Sequence, residues 1–245
     1  MADSFLITPR NWFKGTLAPD LEGGLIHSVD SGGTPSTKEA RYWDGNIPWL
    51  TPKEVTELDS QIYVSRTERT ITAKGIRESG AKLMPPGTVM LTKRAPVGAC
   101  VINAVPMATN QGFLNFRCGP RLRPLFLAYW LRINKLYLHL VANGSVYPEL
   151  YKSDLFEFEI SVPAIEQQDR ILKAIRALEY AITLGAALEQ TSSDPSRVTK
   201  FQEQSRRLSN IREELIPALL SGQLSVTAAP DTFPSMLEIE SEGHL

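Results

Sequence analysis

After Pro163 the apolar residues of this chain change period, and that change puts two architectures into one polypeptide. Ile171, Ile175, Leu178 and Ile182 recur at steps of four, three and four, the spacing of a coiled-coil seam. Val198, Phe201, Leu208, Leu215 and Leu219 fall on a second seam of the same kind. Between them Thr191-Ser192-Ser193-Asp194-Pro195-Ser196 is a helix breaker, with Ser193 and Asp194 as candidate caps ahead of Pro195. Each segment has about 26 residues and extends roughly 40 Å. Neither hides its seam alone. A fold-back hairpin and one long kinked rod both suit the pattern, so each segment packs on its twin or on another chain. Gly222 ends the second helix.

Upstream the period is mixed. Residues 1–60 read as loop-rich, punctuated by Gly23-Gly24, Gly32-Gly33, Pro35, Pro48 and Pro52. Short strands are predicted over 88–92, 99–105 and 113–117, each apolar and bounded by Gly, Pro or Asn. Leu127, Leu131, Leu138 and Val141 predict a helix over 124–141, with Pro124 suited to its first turn and Gly144 to its stop. Over 155–162, Phe156, Phe158, Ile160 and Val162 alternate with charges and predict a last strand, which Pro163 ends. The fold class is therefore α+β: one mixed α/β domain over 1–163, a helical coiled-coil arm over 164–226 with a break at 191–196, and an acidic, frayed tail over 227–245. At 245 residues the chain has material for one sizeable core plus this appendage.

Several classes drop out. No stretch reaches the ~18 apolar residues of a membrane span, and the best run, 124–131, is closed by Arg132. The opening MADSFLITPRNWF lacks a basic-then-apolar signal pattern. Cys100 and Cys118 make neither a disulfide framework nor a zinc site and fit a reducing cytosol, so a cytoplasmic location is expected. His27, His139 and His244 have no metal spacing and give no serine or cysteine a base. Gly75-Ile76-Arg77-Glu78-Ser79-Gly80-Ala81-Lys82 resembles a phosphate loop, but its lysine comes one position late and no buried strand precedes it. Asn46-Ile47-Pro48-Trp49 departs from the Asn-Pro-Pro-aromatic motif of amino-methyltransferases and has no cofactor loop upstream. Asp154, Glu157 and Glu159 read as the wet face of a strand. A binder is expected, with no cofactor or metal of its own.

Charge is uneven although the net value is only −1. Twelve basic residues lie between Arg66 and Lys135, opposed there by Glu68 and Glu78 alone, a local charge of +10 against −11 for the remainder. Eight of the twelve are arginines, the side chain suited to bidentate phosphate and guanine contacts. That asymmetry points to a polyanion-facing surface. Scattered, solvated side chains whose partners come from elsewhere in the fold are the bland alternative.

Gly32-Gly33-Thr34-Pro35-Ser36, followed by Tyr42-Trp43-Asp44-Gly45-Asn46-Ile47-Pro48-Trp49-Leu50-Thr51, closely resembles the start of a target recognition domain in type I restriction–modification specificity subunits. Further likenesses follow in order: Pro86-Gly87-Thr88-Val89, Arg94-Ala95-Pro96-Val97-Gly98, Thr109-Asn110-Gln111-Gly112-Phe113, Gly144-Ser145-Val146-Tyr147-Pro148-Glu149-Leu150 and Ser153-Asp154-Leu155. The segment 162–171 resembles the start of the family's spacer helix, and 219–226 its end. The resemblance covers roughly residues 8–226. Two departures stand out. The family's full subunit carries two recognition domains and two spacers, whereas this chain has one of each, like a half-length form or a fragment. The family's spacer is also generally continuous, and the 191–196 breaker is not.

The resemblance implies a non-catalytic subunit that chooses a DNA sequence. It would hold modification subunits carrying S-adenosylmethionine chemistry and, through them, a restriction endonuclease subunit, with no membrane involved. One recognition domain would read one half of a split target. Two copies paired through their arms would read an inverted repeat, with Ile171, Ile175, Leu178, Ile182, Val198, Phe201, Leu208, Leu215 and Leu219 at the contact. Lys93 and Arg94, beside a Pro-Val-Gly turn, are expected at the DNA. Asn110 and Gln111 carry amides suited to adenine edges, with turn chemistry weighing equally, and Ser145 and Tyr147 sit in a Gly-containing loop. Lys53, Arg66, Arg69, Lys74 and Arg77 are expected at phosphates, and Ser36 and Thr37 are exposed enough to meet one. Trp43, Trp49 and Tyr42 are expected as core anchors. The competing classes are a catalytic DNA enzyme and a scaffold that engages modification subunits without reading DNA.

Overall fold

The computed structural model describes residues 11–58, 61–94, 96–142 and 149–224. Two compact units emerge, one over 11–165 and one that, within the described residues, begins at Glu166. The expected tail at 227–245 and the stop at Gly144 lie outside the described residues.

The mixed unit is centred on a five-stranded sheet ordered β2 (Ile26–Ser31), β9 (Phe113–Cys118), β6 (Val89–Thr92), β7 (Cys100–Asn103) and β4 (Tyr63–Val64). Every pairing in it is antiparallel except β4 with β7. The three strands expected from apolar runs bounded by Gly, Pro or Asn are its centre, where β6 and β7 are buried along their whole length. Phe113 and Phe116 of β9 are also fully buried, and each contributes about 3 kcal/mol of transfer free energy. Helix α3 (Pro124–Ile133) packs its apolar face on β6 and β7. Arg132 at its end donates to the Cys100 carbonyl at 3.1 Å and thereby ties helix to sheet.

Three expectations are corrected. The helix predicted over 124–141 is two helices, α3 and α4 (Lys135–Val141), broken where the Asn134 side chain donates to the Trp130 carbonyl at 2.8 Å and competes with the backbone ladder. The strand predicted over 155–162 is only β10 (Glu159–Val162), which pairs with β1 (Phe13–Thr16). Before it the Asp154 carboxylate accepts from the Tyr151 amide at 2.8 Å and opens a short helix, α5 (Lys152–Phe156). The region read as loop-rich contains β1, β2 and an eight-residue strand, β3 (Trp43–Leu50). β3 lies between β5 (Thr70–Ile71), antiparallel to it, and β8 (Ala108–Thr109), parallel to it. Its Asp44 has φ 57°, and Trp43 and Ile47 both face Ile71 across a bulge. Two short helices, α1 (Pro52–Glu57) and α2 (Ala73–Arg77), follow β3 and β5.

The helical unit contains α6 (Ile165–Thr191) and α7 (Pro195–Ser221), so the breaker sits where expected. Asp194 caps α7, accepting from the Ser196 amide at 2.9 Å. Gly222 ends it with φ 78°, the left-handed value that glycine adopts without strain. The two helices fold back antiparallel. Gln202 donates to Glu189 at 2.6 Å, and a Cβ on Gly185 would press on the Ser205 hydroxyl. Gly185 and Glu189 extend the first 3–4 seam and Ser205 the second, so the seams face each other within one chain. Leu178, Ile182, Val198, Phe201, Leu208 and Leu215 are half-buried there, while Ile171, Ile175 and Leu219 are buried. The two predicted seams thus lie on facing sides of one hairpin. Among the described residues no helix is long and apolar enough to cross a membrane.

Candidate nucleic-acid interface

Among the described residues the motif segments at 32–36, 49–51, 93–94, 109–113 and 149–150, scattered over more than a hundred residues, meet at one end of the two larger sheets. β2 runs out at Ser31 opposite Leu114 near the start of β9, and β6 runs out at Thr92 opposite Phe113. β3 and β8 end side by side at Leu50 and Thr109. The loops leaving these ends are stitched together. The Gly33 amide donates to the Thr109 carbonyl at 2.9 Å, and the Trp49 indole to the Gly33 carbonyl at 2.9 Å. Gly32 must be glycine because a Cβ would run into the Asn110 carbonyl and the Thr109 side chain. Thr34 donates to the Gln111 side-chain oxygen at 2.6 Å on the surface of this junction.

α1 supplies a second side of the rim. Glu54 accepts from the Thr51 amide at 2.8 Å, closing a capping box, and its other oxygen accepts from the Glu68 amide at 2.7 Å. That brings the 66–69 loop beside Lys53. Arg69 lies over the Trp43 ring at 3.6 Å and is 5.6 Å from the Trp49 ring centre. The two indoles meet edge to face at 5.1 Å, and Trp43 donates to the Ser36 carbonyl at 3.0 Å. On the far side of Gly112, the Lys93 amide donates to the Gly112 carbonyl at 2.8 Å. The Lys93 ammonium reaches Glu149 at 2.6 Å, and Arg94 lies 3.7 Å from the same carboxylate.

The expected residues separate in this setting. Lys93 is largely withdrawn from solvent, its side chain 16% exposed and held by Glu149. The hydrogen bond from Lys93 keeps the Glu149 carboxyl below the usual glutamate range. Arg94 shares that carboxylate but keeps 42% of its side chain in solvent. Asn110 follows turn chemistry, its side-chain oxygen accepting from the Gly112 amide at 2.8 Å. Gln111 is exposed, and its side-chain oxygen accepts from the Thr34 hydroxyl. Ser36, Thr37, Lys53, Arg66 and Arg77 are exposed, although Lys53 pairs along α1 with Glu57 at 3.5 Å. Lys74 pairs with Glu78 at 3.8 Å. Ser145 and Tyr147 lie outside the described residues. Trp43, Trp49 and Tyr42 are buried, as anchors should be.

The basic segment is partly neutralised by distant acids. Lys82 bonds to Asp30 at 2.6 Å; burial alone would raise the Asp30 carboxyl, yet Lys82 brings it below its ordinary value. Glu149 does the same for Lys93. Neither acid was visible to a count of local charge, and Thr34, Glu54 and Glu149 are the residues that the sequence reading missed as organisers of the rim. Arg66, Arg77 and Arg117 make no ion pair among the described residues. No three His, Cys, Asp or Glu side chains gather as a metal site among the described residues.

A family profile described as the type I restriction modification DNA specificity domain matches residues 23–191. The MjaIX specificity subunit of a type I restriction enzyme from Methanocaldococcus jannaschii is 42% identical over 148 residues, covering 60% of this chain and 34% of that protein. The EcoR124I/EcoR124II specificity subunit from Escherichia coli is 25% identical over 179 residues, covering 67% of this chain and 43% of that protein. Among solved structures, the HsdS subunit from Thermoanaerobacter tengcongensis superposes with a TM-score of 0.51 at 19% identity, over 88% of this chain and 46% of that one. A chain solved in a study of type I restriction–modification complex assembly and conformational transition gives 0.57 at 20% identity, over 88% of this chain and 47% of that one. These two likenesses concern the fold. The chain spans less than half the length of the curated relatives it matches.

Proposed function

The chain belongs to the type I restriction modification DNA specificity family, and from that membership we propose that it reads one half of a bipartite DNA target for a complex whose catalysis resides in other subunits. The observation that carries this reading is the convergence of the motif loops into one rim bearing exposed Lys53, Arg66, Arg69 and Gln111. Lys53, Arg66, Lys74 and Arg77, with Ser36 and Thr37, would meet phosphates and set register without specifying sequence. Gln111 and Arg94 would face base edges, whereas Lys93 and Asn110 build the rim that holds them. Modification subunits would supply the S-adenosylmethionine chemistry, and a restriction subunit would join through them.

Each hairpin of roughly 40 Å spans about one turn of duplex. Two copies related by a two-fold axis would therefore present their rims to one side of the DNA and read an inverted repeat. The neutralisation of Lys82 by Asp30 and of Lys93 by Glu149 favours a second reading, a scaffold that binds modification subunits without reading DNA. Methylation mapping on a randomised duplex library, with the chain and its cognate modification subunit, separates the two. A split palindromic motif is expected; methylation without sequence preference would leave only the scaffold.

A further inference from the structure

Arg69 is mounted differently from every other exposed cation of the rim. Its guanidinium lies 3.6 Å above the Trp43 ring, and that ring is itself fixed by its bond to the Ser36 carbonyl and by edge-to-face contact with Trp49. Trp43 is 7% and Trp49 4% exposed, so the platform under the guanidinium is core rather than surface. The backbone of Arg69 is equally constrained, because its carbonyl accepts from the Trp49 amide at 3.1 Å and the Thr67 hydroxyl at 2.6 Å. The side chain is nonetheless exposed, and among the described residues no carboxylate pairs with it. The guanidinium carbon is thus covered on one side by an indole while the side chain as a whole stays exposed.

We propose that Arg69 reads a base: with its plane set by Trp43, it donates a bidentate pair of hydrogen bonds to O6 and N7 of a guanine in the major groove. Two acceptor pairs suit such a fork, the guanine edge and two phosphate oxygens. The mount favours guanine. A phosphate contact tolerates a mobile point charge, as Lys53 and Arg66 offer nearby, whereas an edge contact requires the plane and the reach to be fixed in advance. Seating the guanidinium carbon 3.6 Å from the centre of a buried indole restrains both before DNA arrives. The inference rests on the DNA-reading function proposed above and assigns Arg69, expected at a phosphate, to specificity instead.

The test uses the full chain with its cognate modification subunit, S-adenosylmethionine and a randomised duplex library. Arg69→Lys keeps the charge and removes the fork; Arg69→Met keeps apolar cover on Trp43 and removes every donor, and thermal melts of both check folding. The expected result is relaxed preference at one G·C position, by roughly 5- to 150-fold in methylation rate, with the other positions retained. A loss equal across all sequences, with the salt dependence of binding reduced by about one phosphate contact, would make Arg69 a phosphate ligand and overturn the assignment. An unchanged motif in both variants overturns it as well and leaves Arg69 as cover for Trp43. If the wild-type complex prefers no sequence, the DNA-reading function itself fails, a result distinct from either.

Discussion

Lys93 and Glu149 stand 56 residues apart in the chain, and their Nζ and Oε1 atoms are 2.6 Å apart in the fold. The contact joins the end of β6 to the segment leading into α5, and the Leu150 amide donates to the Lys93 carbonyl beside it at 2.8 Å. Both side chains are mostly withdrawn from water, so each needs the other to justify its charge.

Replacing Glu149 with Gln leaves the Lys93 ammonium without its counter-ion, and a loss of about 2 kcal/mol is expected in denaturant unfolding. Lys93→Met in the same chain should recover part of that loss. The pH dependence has a definite sign. The folded Glu149 carboxyl lies below its ordinary value of 4.5, so as the pH falls the unfolded chain takes up the proton first. The stabilisation is complete above about 4.5 and disappears as the pH drops through the lower folded value. Thermal melts between about pH 6 and pH 3.5 should show wild type losing more stability than Glu149→Gln. Parallel curves would show that the pair contributes nothing.

Gly32→Ala is expected to disrupt the junction of the first motif with the 109–112 turn, since the added Cβ meets the backbone carbonyls of Asn110 and Thr109 as well as the Thr109 hydroxyl. Overpacking of this kind costs about 1–3 kcal/mol, so a midpoint drop of several degrees is expected, together with loss of DNA binding by the complex. Gly80→Ala is the matched control, because nothing lies near its Cβ position. Equal stability of the two variants would mean that the close approach at Gly32 is dispensable.

Asn110 and Gln111 should part company on mutation. Asn110→Ala removes the acceptor for the Gly112 amide and should lower stability by about 1 kcal/mol. Gln111→Ala removes only a surface contact with Thr34, so stability should stay within about 0.5 kcal/mol of wild type while DNA affinity of the complex falls. Paired denaturation and DNA-titration curves decide the matter; a Gln111 variant that melts early yet binds normally would reverse the two assignments.

What was legible in the sequence follows from which interactions are local. β6, β7 and β9 showed themselves because strands buried on both faces over most of their length are mostly apolar. The helical seams and their breaker were likewise written in spacing and capping residues. β3 was hidden because Asp44, Gly45, Asn46 and Pro48 are turn formers, and only the bulge against Ile71 lets them lie in a strand. The rim was half visible: its motif residues could be named, but the acids that quiet Lys93 and Lys82 come from 56 and 52 residues away. A charge count along the chain has no access to such partners, nor to the indole that Arg69 covers.

Pairing of two copies, if it occurs through the arms, must use surface that the hairpin leaves over. Its seams face inward, and outside them Leu184, Leu188 and Ile211 are 45%, 40% and 48% exposed. Apolar side chains repeated along a helix face are a natural contact for a second hairpin, which would complete a four-helix bundle. Changing Leu184 and Leu188 together to Glu should convert a dimer at micromolar concentration into a monomer in sedimentation experiments, with the helical signal intact. Phe201→Ala on the inner seam should do the reverse, lowering the stability of the hairpin by about 2 kcal/mol or more before it affects association. A wild-type chain that sediments as a monomer over the same range would remove the two-fold arrangement, and with it the expectation of an inverted repeat, while leaving the half-site reading in place.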